Sequence, residues 1–414
     1  MNISILKKIS LEQWFMLSAL FVNAGNYAYN LILGRLLGPQ QFADAAILIT
    51  FLLVLSFIAM TFQLATAKFS VLFKKQVLNG FLSKIYRYAL WTGIVLGIGI
   101  VVAAKFLQEI FHTQTRYMFV LFGIGVPLYF IMSVNRGVLQ GKERFGKLAI
   151  TYQTEMLSRL FLTISLLFLL DTATAILVAI GIVVSLVFGL FPFAEEKISL
   201  KKGMALSMED SSRIKKFFLL TAFYELSQII INNSDILLVK HYFEAYDAGL
   251  YASLALIGRV VYFVAWMFVM LLLPKVVQLH KEGKPTAPVL SKYVLYIGLL
   301  SFGIILSCYL FPTFVVQLLF GKAYVSIAPL LWKYAVATSL FAISNIFAYY
   351  FLSLDTYIPV ILSALLGITQ VLLIIFFHNS LLEVVLMQIY AMAVLLGVQL
   401  VYSLSGLIPR GLPR

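Results

Sequence analysis

Residues 11–66 read LEQWFMLSALFVNAGNYAYNLILGRLLGPQQFADAAILITFLLVLSFIAMTFQLAT, which is two long apolar runs joined by a short polar turn. Each run has the roughly 20 residues that a helix needs to cross the hydrocarbon core of a bilayer. The turn contains Gly38 and Pro39, and it lies between two charged residues, Arg35 and Asp44. The stretch therefore predicts a transmembrane hairpin and excludes a cleaved signal peptide, because the first run is of full spanning length and lacks a small-residue cleavage site.

The composition of the whole chain agrees with this reading. Of 414 residues, 62% are apolar, 15% are aromatic and only 12% are charged. Soluble domains have about twice that charged share. We therefore expect an all-α integral membrane protein and exclude a disordered chain or a cytosolic enzyme. The only cysteine, Cys308, permits no intrachain disulfide and no multi-cysteine metal site.

Runs of spanning length recur and predict about twelve transmembrane helices, with boundaries uncertain by a few residues. They lie near residues 11–34, 43–66, 86–105, 117–135, 148–170, 173–193, 217–239, 248–273, 292–311, 325–352, 357–377 and 382–406.

Basic residues predict the orientation of these helices. The net charge is +14, and the predicted loops carry 23 Lys and Arg residues on one side and five on the other. The five are Arg35, Lys105, Arg116, Lys240 and Lys322. Because basic loops stay in the cytoplasm, this asymmetry predicts cytoplasmic N- and C-termini. It also explains the positive charge without nucleic-acid binding.

The longest polar stretch divides the chain into two predicted six-helix bundles. We predict an N-terminal bundle at 1–194, a cytoplasmic linker at 195–216 and a C-terminal bundle at 217–414. An even number of helices in each half predicts parallel repeats about a pseudo-twofold axis. A thin similarity supports this, since the first hairpin of each half aligns Asn30 with Asp235 and Arg35 with Lys240.

Motifs for cofactor chemistry are absent. Residues 141–148 approach a phosphate-binding loop, but Leu148 replaces the hydroxyl residue that would hold magnesium. The four histidines are scattered and form no zinc motif. We predict no cofactor and no metal site.

Two predicted helices carry polar stripes at membrane depth, and such residues often face a cavity. The first has Asn23, Asn26 and Asn30 at helical spacing. The seventh has a stripe about 80° wide, formed by Glu225, Gln228, Asn232 and Asp235. We predict that both stripes line a central substrate cavity. The alternative is that they only hydrogen-bond neighbouring helices.

Charged residues also fall at membrane depth. Glu155 and Arg159 lie one helical turn apart and can neutralise each other, whereas Arg259 and Lys333 have no partner in their own helices. Such cations suit an anionic cargo such as a lipid-linked phosphate or pyrophosphate. Arg136 is predicted to meet the lipid headgroup at the cytoplasmic mouth.

Two segments resemble the polysaccharide-biosynthesis flippases of the multidrug/oligosaccharidyl-lipid/polysaccharide (MOP) exporter superfamily. They are LGRLLGPQQFADAAIL (33–48) and NRGVLQGKERFGKLAITYQTEMLSRL (135–160). Family members usually have Gly after the aromatic residue of the first turn, whereas here Ala43 follows Phe42.

The resemblance implies a V-shaped, MATE-like arrangement of the two bundles and transport by alternating access. The implied substrate is an undecaprenyl-pyrophosphate-linked oligosaccharide of O-antigen type, moved across the bacterial cytoplasmic membrane. The implied partners are membrane lipids and other polysaccharide assembly proteins, without nucleic acid. Coupling to a proton or sodium gradient stays open.

Two other functions stay open. A cation-coupled multidrug exporter of the same superfamily would use Glu225 and Asp235 as ion sites. A membrane glycan polymerase or ligase is the weaker alternative, because such enzymes present catalytic residues in a substantial outer loop and the predicted outer loops are short. We therefore expect a transporter rather than an enzyme.

Overall fold

The protein is all-helical where the computed structural model describes it. The described residues are 11–73, 75–170, 174–192, 206–262, 265, 272, 275–276, 278–280, 282–354, 356 and 358–405. The first seven helices are α1 (Leu11–Leu72), α2 (Lys75–Val102), α3 (Ala104–Phe111), α4 (Tyr117–Gly141), α5 (Phe145–Leu169), α6 (Thr174–Phe188) and α7 (Met208–Tyr242). The later ones are α8 (Ala245–Gly258), α9 (Ala287–Leu310), α10 (Pro312–Leu319), the 3₁₀ helix Lys322–Leu330, α11 (Leu331–Ser353), α12 (Ile358–Phe376) and α13 (Leu381–Leu404).

Helix α1 contains a sharp break at the predicted turn. Gly38 has φ 71° and ψ 171°, which lies outside the helical region. Glycine adopts positive φ at little cost, and Pro39 after it lacks the N–H that a continuous helix needs. The break separates two arms, which correspond to the predicted spans 11–34 and 43–66.

Within the described residues, six elements are long and apolar enough to cross a membrane. They are Trp14–Leu72, Val77–Val102, Tyr117–Gly141, Ala287–Leu310, Lys322–Ser353 and Leu381–Leu404, and Thr174–Phe188 and Ile361–Phe376 are shorter apolar helices. Large apolar side chains lie on the outer surfaces of these helices, and Val102, Phe376 and Leu404 are 78%, 73% and 85% exposed. Such surfaces suit lipid better than water. Twelve spans and cytoplasmic termini stay predictions.

Several boundaries differ from those predicted. Helix α7 begins at Met208, inside the predicted linker, because Ser207 caps it by accepting a hydrogen bond from the Asp210 backbone N–H at 3.0 Å. Helix α8 ends at Gly258, but the described residues 260–262, 265 and 272 beyond it are helical as well, so the helix predicted to extend to residue 273 is interrupted only at Arg259 where the structure describes it. The connections predicted as loops contain the short helices α3 and α10.

The helices form two compact units, and their division falls within α7. The first unit comprises Met1–Leu37 and Asp44–Leu226, and the second comprises Gly38–Ala43 and Ser227–Arg414. The prediction placed the division in the linker at 195–216, which overlaps only the first residues of α7.

In the first unit, α4 packs against α2 and α6, and α5 packs against α6. The first half of α7 joins this unit through aromatic contacts with α1. The rings of Phe62 and Phe218 lie 4.9 Å apart, and those of Phe69 and Phe217 lie 6.0 Å apart.

In the second unit, α11 packs against α9 and α13. One core includes Ile297, Ala342 and Ile346, and a second includes Ile231 of α7 and Met392 of α13. The segment Gly38–Ala43 belongs to this unit, where the ring of Phe42 lies 5.8 Å from that of Phe320.

Candidate functional site

The first unit contains a buried cluster of three charged side chains from two helices. Arg136 of α4 contacts one carboxylate oxygen of Glu155 on α5, with Nη2 and Oε2 2.8 Å apart. Arg159 contacts the other oxygen, with Nη1 and Oε1 3.3 Å apart. We call Arg136, Glu155 and Arg159 the first-unit cluster. The predicted neutralisation of Glu155 by Arg159 is therefore only part of the arrangement.

Arg136 is more deeply placed than predicted. Its exposure is 4%, so in this structure it is buried inside the first unit and not exposed at a mouth. Its Nε donates to Thr151 Oγ1 at 3.0 Å and its Nη2 donates to the Thr151 carbonyl at 2.9 Å. The guanidinium carbon lies 3.9 Å from the centre of the Tyr152 ring, a cation–π distance. Packing of α4 on α5 fixes this position.

Arg159 connects the cluster to the first arm of α1. Its Nη2 donates to Asn26 Oδ1 at 2.6 Å, and its guanidinium lies 5.7 Å from the centre of the Tyr29 ring. Asn26 and Asn30, two members of the predicted stripe on α1, therefore both form hydrogen bonds within the protein. Asn30 Nδ2 donates to the Asn26 carbonyl at 2.8 Å. Asn23, the third, is exposed.

Polar side chains continue from the cluster along α5. Tyr152, Glu155, Arg159 and Thr163 follow one another at spacings of three and four residues, so they share one helical face. At one end, Gln63 Nε2 donates to the Tyr152 hydroxyl at 3.0 Å. At the other, the hydroxyls of Tyr29 and Thr163 are 3.3 Å apart. We call this set the α5 polar track.

The second unit contains a different charged cluster, centred on Asp235 of α7. Arg259, directly after α8, donates from Nη2 to Asp235 Oδ1 at 3.0 Å. Tyr251 and Tyr334 donate to Oδ2 at 3.1 and 2.8 Å. Gln388 of α13 in turn donates to the Tyr251 hydroxyl. We call Asp235, Tyr251, Arg259, Tyr334 and Gln388 the second-unit cluster.

The structure gives Arg259 a partner outside its own helix. The sequence showed no partner within its own helix, and the partner is Asp235 on the neighbouring helix. Asp235 has an exposure of 1% and accepts from three donors, so the predicted ion-site carboxylate is already occupied by protein groups.

The other residues predicted on α7 and α11 are half-buried. Asn232 Nδ2 donates to the Gln228 carbonyl at 2.8 Å, as in ordinary helix packing. Glu225 has no hydrogen bond or ion pair within the described ranges. Lys333 likewise has no ion pair there, and its Nζ lies 5.6 Å from the centre of the Trp332 ring. A central cavity lined by both stripes stays a prediction.

Sequence reasoning missed the uncharged side chains that contact the first-unit cluster and the uncharged members of the second-unit cluster. Thr151 and Tyr152 lie one turn before Glu155, which is a detectable spacing. Tyr251, Tyr334 and Gln388 come from three different helices, and no local pattern connects them with Asp235. Among the described residues, no group of three or more His, Cys, Asp or Glu side chains is arranged to hold a metal ion.

Comparison with known proteins agrees with this architecture. Residues 32–329 match the family described as "Polysaccharide biosynthesis protein", and since this is most of the chain, the protein belongs to that family. No curated protein matches the sequence.

Solved structures give the fold. The chain is similar to an inward-facing multidrug resistance MATE family transporter of the MOP superfamily, with TM-score 0.73, 14% identity and coverage of 92% of this chain and 94% of that one. It is equally similar to the lipid II flippase MurJ in an inward closed conformation, with TM-score 0.73, 14% identity and coverage of 95% and 87%. A MOP superfamily transporter from Pyrococcus furiosus, described as having a binding pocket of reverse polarity, gives TM-score 0.54, 15% identity and coverage of 94% and 92%.

These similarities confirm the resemblance drawn from residues 33–48 and 135–160. The protein is a multi-pass membrane protein with a MATE- and MurJ-like fold, and its family is one of polysaccharide biosynthesis.

Proposed function

We propose that the protein is a flippase for a lipid-linked oligosaccharide. It moves an undecaprenyl-pyrophosphate-linked repeat unit across the bacterial cytoplasmic membrane by alternating access, for assembly of a surface polysaccharide of O-antigen type. The observation that carries the proposal is the first-unit cluster. Two arginines share one carboxylate there, in a membrane protein of a polysaccharide biosynthesis family. A surplus of buried positive charge favours an anionic cargo.

The chemistry of such a substrate fits the α5 polar track. A sugar that crosses the bilayer needs hydrogen-bonding partners in place of water, whereas a polyprenyl chain can stay in lipid. The track places the hydroxyl and guanidinium groups of Tyr152, Arg159 and Thr163 on consecutive turns of α5, and Gln63 and Asn26 of α1 contribute amide groups beside them. The lipid II flippase among the similar folds acts on a lipid-linked substrate, which supports the same class here.

The second candidate function is a cation-coupled multidrug exporter. Its support is Glu225, a half-buried carboxyl on α7 without a hydrogen bond or ion pair in the described part of the chain. A carboxylate in that position can attract a proton or a sodium ion. The similarity to MATE transporters is compatible with this candidate too.

Deletion of the gene separates the two candidates. For a flippase we expect loss of surface polysaccharide, with complete lipid-linked repeat units accumulating on the cytoplasmic leaflet, and no change in sensitivity to cationic drugs. Complementation with the wild-type gene is the control. Normal polysaccharide together with new drug sensitivity would refute the flippase and support the exporter.

A further inference from the structure

The first-unit cluster carries hydrogen-bond donors that its protein partners do not use. A guanidinium has five N–H donors. Arg136 commits its Nε and Nη2 donors to Thr151 and Glu155, and Nη1 makes no hydrogen bond with any described residue. Arg159 commits one donor to Glu155 and one to Asn26, and its Nε is unused within the same ranges.

The cluster also has unbalanced charge. Glu155 offers one negative charge to two guanidinium groups, and the side chains of Arg136 and Arg159 are only 5% and 10% exposed. A buried charge without a counter-charge is costly, and the rings of Tyr152 and Tyr29 offset only part of that cost. A bound anion would supply both the missing charge and the missing acceptors.

We propose that Arg136 and Arg159 bind the phosphate groups of the transported lipid, and that Glu155 is the positioning residue that aims them. The proposal rests on the proposed function. Guanidinium edges match phosphate oxygens in pairs, and the Tyr152 ring lies against the face of Arg136. Each carboxylate oxygen of Glu155 accepts a hydrogen bond from one arginine, so Glu155 fixes the orientation of both guanidinium groups.

Among the described residues of the second unit, we find no equivalent pair of arginines on one carboxylate. Arg259 is matched by Asp235 in a pair of balanced charge, and the hydroxyls of Tyr251 and Tyr334 also donate to Asp235. Lys333 is a single half-buried ammonium, which lacks the fork geometry of a guanidinium. The phosphate group is therefore assigned to the first-unit cluster.

Lipid binding by the purified full-length protein tests the assignment. The probes are polyprenyl diphosphate, polyprenyl monophosphate, polyprenol and phosphatidylglycerol, each titrated in lipid nanodiscs. We expect the wild type to prefer polyprenyl diphosphate over polyprenol, and Arg136→Gln and Arg159→Gln to weaken diphosphate binding about tenfold or more. Arg136→Lys keeps the charge without the fork and is expected to give an intermediate affinity. Lys105→Gln, which removes one positive charge at an exposed lysine outside the cluster, is the control and is expected to bind as the wild type does.

The outcomes separate this proposal from the proposed function. Unchanged diphosphate affinity in folded Arg136→Gln and Arg159→Gln overturns the assignment but leaves the flippase intact. Equal affinity for phosphatidylglycerol identifies a general phospholipid site and also overturns it. The flippase itself fails only if gene deletion leaves the surface polysaccharide normal.

The role of Glu155 has its own test. Glu155→Ala raises the positive charge of the cluster, so an electrostatic role alone predicts tighter diphosphate binding. A positioning role predicts weaker binding, with restoration by Glu155→Asp. Tighter binding by Glu155→Ala would refute the positioning role.

Discussion

The two buried carboxylates show how charge balance distinguishes sites that look alike in the sequence. Glu155 has two arginine partners, whereas Asp235 has one arginine and two tyrosine hydroxyls. Both oxygens of each carboxylate accept hydrogen bonds from protein groups, so a coupling ion at either carboxylate would compete with these contacts. The two sites differ in net charge, because the first-unit cluster has one more arginine than carboxylate whereas Asp235 and Arg259 balance each other.

This difference in charge predicts that neutralising Glu155 destabilises the folded protein more than neutralising Arg136 does. Glu155→Gln leaves two buried guanidiniums without an anion, and loss of one partner from a buried pair costs about 3–5 kcal/mol. Arg136→Gln leaves a balanced pair of Glu155 and Arg159, so we expect a clearly smaller loss. Thermal unfolding of both variants in one detergent measures this. Equal losses would show that the surplus charge is not a feature of the folded protein.

The second-unit cluster predicts how much the hydroxyl of Tyr334 contributes to the free energy of unfolding. Tyr334 donates to Asp235 at 2.8 Å in a buried site, and a hydrogen bond to a charged group is worth about 1.5–3 kcal/mol. We expect Tyr334→Phe to lower the free energy of unfolding by about that amount. Tyr390, 55% exposed on α13, provides the control Tyr390→Phe, which is expected to have little effect. A similar loss in both variants would contradict the role of the hydroxyl.

Close helix packing is the main feature at the level of elements. The pairs Gly93/Gly97 and Gly137/Gly141 are spaced for close approach, and the structure uses them in this way. A Cβ at Gly97 would lie 2.5 Å from the Gly123 carbonyl oxygen on α4, and a Cβ at Gly137 would lie 2.5 Å from the Gln63 carbonyl oxygen on α1. Helix α4 therefore contacts both neighbours almost backbone to backbone.

A pair of substitutions on α2 tests this packing. Gly97→Leu is expected to force α2 and α4 apart and to reduce the yield of folded protein. Gly99→Leu has the same chemistry on the same helix, but a Cβ at Gly99 meets no atom within 4 Å, so we expect a normal yield. Folded yield is measured by size-exclusion chromatography of detergent extracts. Normal yield from Gly97→Leu would refute the close contact.

Much of the element order was predictable because apolar length is a direct physical requirement of the bilayer. The break at Gly38 also follows from local sequence, since glycine and proline interrupt helices. Helices α3 and α10 were not predicted, because each is only eight residues long and a periodic pattern of that length does not distinguish a helix from a connecting loop. The early start of α7 depends on a single cap at Ser207.

The candidate site was predictable only in part, and the reason appears at the level of the whole molecule. The cost of burying charge identified Glu155, Arg159, Arg259 and Asp235. Their pairing depends on contacts between helices that are distant in sequence, such as the 24 residues between Asp235 and Arg259. The division of the chain within α7 depends on such contacts as well, because aromatic packing assigns the first half of that helix to the first unit.

The predicted orientation has a direct consequence for the first-unit cluster. Arg136 lies five residues before the end of α4, and α5 begins directly after the turn at residues 142–144. If that turn is cytoplasmic, the phosphate site lies closer to the leaflet on which a lipid-linked repeat unit is assembled. Two exposed lysines in similar ion pairs allow the orientation to be measured. Lys105 pairs with Glu109 at 3.9 Å, and Lys284 pairs with Glu282 at 2.7 Å.

Single cysteines at these two positions, in a Cys308→Ser background, report the side of the membrane. Cys308 is the only native cysteine, so replacing it leaves the introduced cysteine as the only thiol that the maleimide can label. With a membrane-impermeant maleimide on intact cells, we expect Lys105→Cys to be labelled and Lys284→Cys to be labelled only after permeabilisation. The reason is that the loop at Lys284 belongs to the strongly basic side and the loop at Lys105 does not. The reverse pattern would invert the topology and place the first-unit cluster towards the outer leaflet, where it would meet the released substrate instead of the arriving one.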